Sequence, residues 1–262
     1  MSYENLSLTI DGHIARLLLN RPDKANAFDE AMHTEFSAVL AELSEMTDIR
    51  VILLHAAGRH FSAGGDFAYI RALRASPEMQ ARTRGEGIAI FTALTQMHVP
   101  IVAAVQGHAL GFGATIISTC DAIVAYKDAK IGDPHVVVGL TAGDGGVLGW
   151  TAAVGHNRAR RLLLTGDSIT ATEAYQFGLV TDLVDTADAV LPAAEALAKR
   201  IAALPPIAVQ GTRKTFNALT SIRHGDVMPY SIDMEFDALR SEDLMEAVDA
   251  AVERRPGVYH NR

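Results

Sequence analysis

The chain has 262 residues, 49% of them hydrophobic and 21% charged, the balance of an ordinary globular protein long enough to bury a large core. Its 31 acidic against 23 basic residues give a net charge of -8, which argues against unspecific nucleic-acid binding. A single cysteine, Cys120, excludes an intrachain disulfide framework, and the apolar windows are too short for a membrane span.

The opening Met1 to Asn5 has no basic region leading into an apolar one, which predicts a cytoplasmic protein without a signal peptide. Leu6–Ile10 and Ile14–Leu19 read as strands joined by a hairpin at Asp11-Gly12, because Asp-Gly accepts the backbone of a tight hairpin turn. After a turn at Asn20–Lys24, helical spacing runs from Asp29 to Met46 through Met32, Phe36, Val39, Leu40 and Leu43. Val51–His55 is a continuous apolar strand of the kind covered on both faces. Gly64-Gly65 leads into a helix from about Phe67, and Ser76–Gly85, with its proline and mixed charge, reads as an exposed mobile connection. Ile88–Gln96 is helical, Ile101–Val105 a short buried strand, Gly111–Ser118 a helix and Ala122–Tyr126 the next strand. Strands alternating with helices imply an α/β fold.

Beyond Leu148 the pattern is mostly helical: Asn157–Leu164, a helix opened by a capping box at Thr170–Glu173 and closed by Gly178, then Asp188–Ala203. Pro205-Pro206 separates these from helices over Val209–Leu219, Tyr230–Leu239 and Ser241–Arg254. We therefore expect a core domain over residues 1–203 and a helical region over residues 204–262. The apolar positions of that tail, Phe216, Leu219, Met228, Phe236, Leu239, Leu244, Met245 and Val248, are too few to form their own core. They must pack on the main domain or on another subunit.

Three stretches carry chemistry. Phe61-Ser-Ala-Gly-Gly-Asp66 and Gly107-His-Ala-Leu-Gly-Phe-Gly113 are glycine-rich backbone able to donate hydrogen bonds to a developing anion, or simply to turn tightly. Ile131–Asp144 places His135 and Asp144 nine residues apart among small residues. A histidine titrates near neutrality and a carboxylate fixes its tautomer, so the pair suits acid–base work, with His135 as general base and Asp144 orienting it or activating water. The alternative leaves His135 on a backbone carbonyl and Asp144 capping a helix that starts at Gly145-Gly146. His60, Arg59 and Arg71 lie near the first motif; His108 sits at a turn. His98, His108 and His135 lack the local spacing of a metal site, so no metal is expected.

The order and spacing of Asn20-Arg-Pro…Asn26-Ala27, Phe61–Asp66, Ile101–Gly107…Gly111–Gly113, Cys120-Asp121, Leu163–Gly166 and Ala174…Gly178–Val180 resemble the enoyl-CoA hydratase/isomerase, or crotonase, superfamily along nearly the whole chain. The resemblance implies a spiral core of ββα turns, a C-terminal helical region forming trimers or paired trimers, and an acyl-CoA substrate with coenzyme A as part of it rather than a resident cofactor. By motif position the backbone N–H groups of Ala63 and Phe112 would hold the thioester oxyanion. Lys24, Ala25 and Ala27 would meet the nucleotide side, with Gly64, Asp66 and Gly111 in the glycine motifs and Lys214 reaching from a neighbouring subunit. Asp66 serves more naturally to hold its loop than to react. The two glutamates of the hydratases correspond here to Thr115 and His135, neither of them a carboxylate. Hydratase or lyase chemistry is the preferred expectation, and thioester hydrolysis an alternative. The His135/Asp144 pair also resembles the β-diketone hydrolases of the superfamily, which cleave a carbon–carbon bond of a small cyclic diketone without CoA.

Overall fold

The computed structural model describes residues 3–262, apart from the side chains of residues 223 and 224. The chain runs β1 (Leu6–Asp11), β2 (Ile14–Leu19), α1 (Glu30–Glu45), β3 (Val51–Ala56), α2 (Phe67–Ala75), α3 (Pro77–Gln96), β4 (Ile101–Val105), β5 (Ala109–Leu110), α4 (Phe112–Ser118), β6 (Ala122–Tyr126) and β7 (Lys130–Gly132). After a short 3-10 turn at His135–Val138 come α5 (Gly146–Val154), α6 (His156–Thr165), β8 (Ser168–Thr170), α7 (Ala171–Phe177), β9 (Asp182–Val184) and α8 (Val190–Ala202). Three helices close the chain: α9 (Pro206–His224), α10 (Val227–Arg240) and α11 (Glu242–Glu253).

One sheet has the order β1-β2-β3-β4-β6-β9, antiparallel at β1/β2 and parallel beyond; β5-β7-β8 form a second, small sheet. The period of two along β3 divides the core. Val51 and Leu53 face α8, where Val190, Ala194 and Ala198 cover them. Ile52 and Leu54 face the other way, onto Met32, Phe36, Leu40 and Leu43 of α1. A strand covered on both faces has no polar side, which is why Val51–Leu54 is uninterrupted apolar sequence. This is the α/β architecture expected, with repeated ββα turns.

Ser76–Gly85 is not a mobile connection but the first half of α3. The Ser76 hydroxyl accepts from Met79 N–H at 3.2 Å and Pro77 occupies the first turn, where a proline's missing N–H costs nothing. Gly87 lies where a Cβ would stand 2.8 Å from Ile232 Cδ1 of α10. The glycine thus marks a close helix crossing, not a break.

The tail divides by residue. Met228, Phe236, Leu239, Leu244 and Val248 pack with Ile70, Leu73, Phe91 and Leu140 of the preceding chain into a second apolar cluster, whereas Phe216 and Leu219 on α9 remain exposed at 63% and 58%. α9 is anchored by Arg213, which is 4% exposed, pairs with Asp121 at 2.8 Å and donates to the Leu94 carbonyl at 3.0 Å. Among the described residues no helix is long and apolar enough to cross a membrane.

Candidate active site

The loops after β3 and β5 and the segment after β7 converge on a cavity of about 150 Å³. Its first wall is built from the turn before α1. Asn26, fully buried with φ +52°, donates from Nδ2 to the carbonyls of Ala57 and His60 at 2.9 Å each. Ser62 Oγ donates to Asn26 O at 2.8 Å and accepts from Gly64 N–H at 3.1 Å. Gly64 has φ +88°, and a Cβ there would lie 2.8 Å from the Leu110 carbonyl oxygen; only glycine fits so close to the second motif. Gly111, at φ +51°, precedes α4 and leaves the Phe112 N–H at the open start of a helix, where the first N–H groups have no intrahelical acceptor.

The structure corrects one donor. The Ala63 N–H is committed to the Ala25 carbonyl at 2.9 Å, so it is not available to a ligand. Gly65, two residues on, lines the cavity and gives its N–H to no acceptor among the described residues. Gly65 and Phe112, one in each glycine motif, both line the cavity with an N–H that no described residue accepts.

The acid–base cluster is larger than a pair. Asp133, fully buried, accepts from His135 Nδ1 through Oδ1 in a short contact, and Asp144 Oδ2 lies 3.6 Å from His135 Nε2. Asp144 Oδ1 accepts from Thr115 Oγ1 at 2.9 Å and from Gly146 N–H at 3.2 Å, so it both supports the start of α5 and enters the site. Thr115 orients this carboxylate. Glu235, carried by α10, lines the same cavity. The Oδ2 atoms of Asp133 and Asp144 and Oε2 of Glu235 are buried without a hydrogen-bond partner.

Electrostatics assign different protons to these groups. Burial by itself would favour neutral His135, but the charges of Asp133 and then Asp144 outweigh it and raise its pKa well above the ordinary value. The two carboxylates on either side of the ring thus favour the imidazolium over the neutral form that a general base needs. Burial raises the Asp144 carboxyl, against the pull of His135, which makes it a stronger base than an ordinary aspartate. Burial, reinforced by Asp144, pushes Glu235 up to about 8, so it is a neutral acid near neutrality. Asp133, His135 and Asp144 each bring one ligand atom within 4.8 Å of the others and have a metal-ligating composition, although Nδ1 of His135 is already engaged by Asp133.

The family model for enoyl-CoA hydratase/isomerase matches residues 9–262. The chain belongs to the enoyl-CoA hydratase/isomerase family. It is 31% identical over 257 residues to a crotonyl-CoA hydratase of Syntrophomonas wolfei, covering 97% of each chain. It is 29% identical over 262 residues to a probable enoyl-CoA hydratase of Mycobacterium bovis, covering 100% of each. The crystal structure of an enoyl-CoA hydratase/isomerase from Mycobacterium paratuberculosis superposes with a TM-score of 0.90 at 32% identity, over 94% of this chain and 97% of that one. Membership identifies the chain as an enzyme of the lyase type.

Other residues singled out by the crotonase resemblance are spread more widely. Lys24 and Asp66 border a separate open depression of about 870 Å³, together with Arg21 and Arg82. Asp66 Oδ1 accepts from Ala68 N–H at 2.8 Å and from Tyr69 N–H at 3.3 Å; it caps α2, as its chemistry suggested. Ala25 contributes its carbonyl to Ala63, and Ala27 is buried. Lys214 is exposed on α9 and does not line the cavity. Arg71 pairs with Asp249, and His108 Nδ1 accepts from Lys130 N–H at 3.1 Å, which leaves both outside the cavity. Burial pushes the Cys120 thiol up, away from nucleophilic character. Asp133 and Glu235 were not foreseen. Glu235 carried a signal: with Ile232, Phe236 and Leu239 it shares the apolar stripe of α10, where a charged residue is out of place.

Proposed function

We propose that the enzyme adds water across the double bond of an α,β-unsaturated acyl-CoA, or removes it in reverse. The observation that carries this reading is a neutral carboxyl, Glu235, beside a carboxylate, Asp144, in a cavity that also offers two unengaged backbone N–H groups. The pair of carboxyls absent at Thr115 and His135 is regained from α5's leading loop and from α10. In this mechanism the Gly65 and Phe112 N–H groups hold the thioester oxygen as negative charge develops there. Asp144 takes a proton from water, whose oxygen bonds to Cβ, and the resulting enolate takes the Glu235 proton at Cα. Transfer of a proton from Asp144 to Glu235 resets the pair. The imidazolium of His135, held by Asp133, keeps Asp144 ionised between turnovers. The similarity to hydratases named for crotonyl-CoA and enoyl-CoA substrates supports the choice of a thioester, and exposed Lys24 is a ready contact for its phosphates.

Calorimetry with CoA and a panel of enoyl-CoAs, followed by loss of the conjugated-thioester absorbance, tests this. Binding and turnover are expected. Failure to bind any CoA thioester, with cleavage of a cyclic β-diketone instead, would overturn it in favour of carbon–carbon hydrolysis without CoA.

The backbone donor has its own test. Position 112 is the first of α4, where proline is tolerated, so Phe112→Pro deletes the N–H with little harm to the helix. We expect kcat to fall by about 100-fold or more. Loss of the edge-on contact between Phe112 and Phe28, at 4.9 Å, is separated out by Phe112→Leu, which retains the N–H and should retain most of the rate.

The exposed apolar residues of α9, Phe216 at 63% and Ile222 at 83% among them, support assembly as a homotrimer, alone or paired into a hexamer. Light scattering at micromolar concentration should give one of these masses; a monomer would exclude it and remove Lys214 as a contact to a neighbour's substrate.

A further inference from the structure

We infer that His33, oriented by Glu86, binds a hydroxyl carried on the acyl group of the substrate, so that the preferred thioesters bear a hydroxyl beyond the reacting carbons. The inference rests on the thioester reading above and specifies its substrate. His33 lies on α1, is 8% exposed, and lines the same cavity as His135 but from a different element. Its Nδ1 meets Glu86 Oε2 at 2.8 Å, and the same carboxylate accepts from Thr34 Oγ1 at 2.9 Å through Oε1. Burial would favour the neutral Glu86 carboxyl, but these two hydrogen bonds outweigh it and lower its pKa. Glu86 is then ionised and accepts, which makes Nδ1 the protonated nitrogen. The other nitrogen, Nε2, has no partner among the described residues.

A histidine serving only to tie α1 to α3 would need nothing more than the Glu86 contact. Here the ring is also fixed as a recognition group: it stacks on Phe112 at 5.6 Å between centroids, with 28° between the planes. That fixes the imidazole beside the backbone donor that holds the thioester oxygen. Tyr69 Oη and Thr83 Oγ1 bond one another at 2.5 Å, and neither is bonded to the ring. The rest of this wall, Phe28, Ile70 and Leu73, is apolar. An alkyl chain there would leave a buried imidazole nitrogen without a hydrogen bond, whereas a hydroxyl would donate to its lone pair. An anionic group is disfavoured, because the ionised Glu86 stands directly behind the ring.

Three enoyl-CoAs of equal chain length, with a plain, a hydroxylated and a ketone-bearing distal carbon, provide the test. Wild-type kcat/KM should favour the hydroxylated chain over the plain one by roughly ten-fold or more, the asymmetry of a site built to hydrogen-bond its substrate. His33→Leu should reduce that ratio to about two-fold or less, and His33→Asn, which restores a polar end, should recover part of it. The ketone-bearing chain, which has no hydrogen to offer the Nε2 lone pair, should behave like the plain one. Circular dichroism melts report folding; if His33→Leu does not fold, the comparison rests on His33→Asn and Glu86→Gln, each expected to narrow the ratio. A wild-type enzyme with no preference for the hydroxylated chain, or a ratio unchanged in the folded variants, overturns the inference while leaving the thioester reading standing. No turnover of any of the thioesters is the failure of that reading, and the inference falls with it.

Discussion

Asp144→Asn is expected to lower kcat by about 100- to 10,000-fold, the range for loss of a positioned general base, with the protein still folded. The asparagine oxygen can accept from Thr115 Oγ1 and Gly146 N–H as Asp144 Oδ1 does, at 2.9 and 3.2 Å in the parent, and asparagine serves well at a helix start. What is lost is Oδ2, the buried oxygen without a partner. In its place an amide N–H₂ faces the protonated Nε2 of His135, two donors without an acceptor. Thr115→Val, which removes only the support, should cost less. Steady-state rates with melting curves for both variants check this; a rate within about three-fold of wild type for folded Asp144→Asn would remove Asp144 from the chemistry.

Glu235→Gln should change two pH profiles in opposite senses. Glu235 moves from an ordinary 4.5 to about 8 in the folded chain, so between those values the native state holds a proton that the unfolded chain has released. Stability from this group therefore falls as pH rises through that window. Glutamine does not titrate, so its melting temperature should rise relative to wild type as the pH is raised from about 5 to about 9. Activity follows the other rule. Wild-type kcat should decline above about 8 as the acid is lost, a limb whose position is set by the facing charges of Asp144, His135 and Asp133. Glu235→Gln should lower kcat by about 100-fold and abolish that limb. An unaltered alkaline limb in the variant would assign the proton elsewhere.

Most of the sheet was legible because its strands combine β-branched and apolar runs with glycine or proline at their ends. β5, β7 and β8 were not, since two or three residues carry no period. Ser76–Gly85 misled because its proline and mixed charge read as a break, although Pro77 sits in a first turn where it starts a helix. In the site, the nearness of His135 to Asp144 was legible in the Ile131–Asp144 stretch, and Phe112 lines the cavity where the second glycine motif put it. The Ala63 assignment failed at the level of one peptide's direction, which turns on whether its N–H faces Ala25 or the cavity. Glu235 and His33 sit on amphipathic helices, where an isolated polar residue reads as surface; three residues from Ile232 and from Phe36 respectively, each is in fact on the inward stripe. The protonation of His135 was beyond sequence altogether, because it depends on Asp133 and Asp144 meeting on either side of one ring.

Helix α10 belongs to the tail, yet it supplies Glu235, Ile232 and Phe236 to the cavity. During synthesis the sheet, both glycine motifs and the Asp133–His135–Asp144 cluster leave the ribosome before α10 does. A nascent chain can thus hold a finished core and remain inert until its last helices dock. The same separation bears on descent: substitutions in α10 reshape the chamber without disturbing the two-sided core of β3, so a lineage can change what it accepts while keeping both glycine motifs in place.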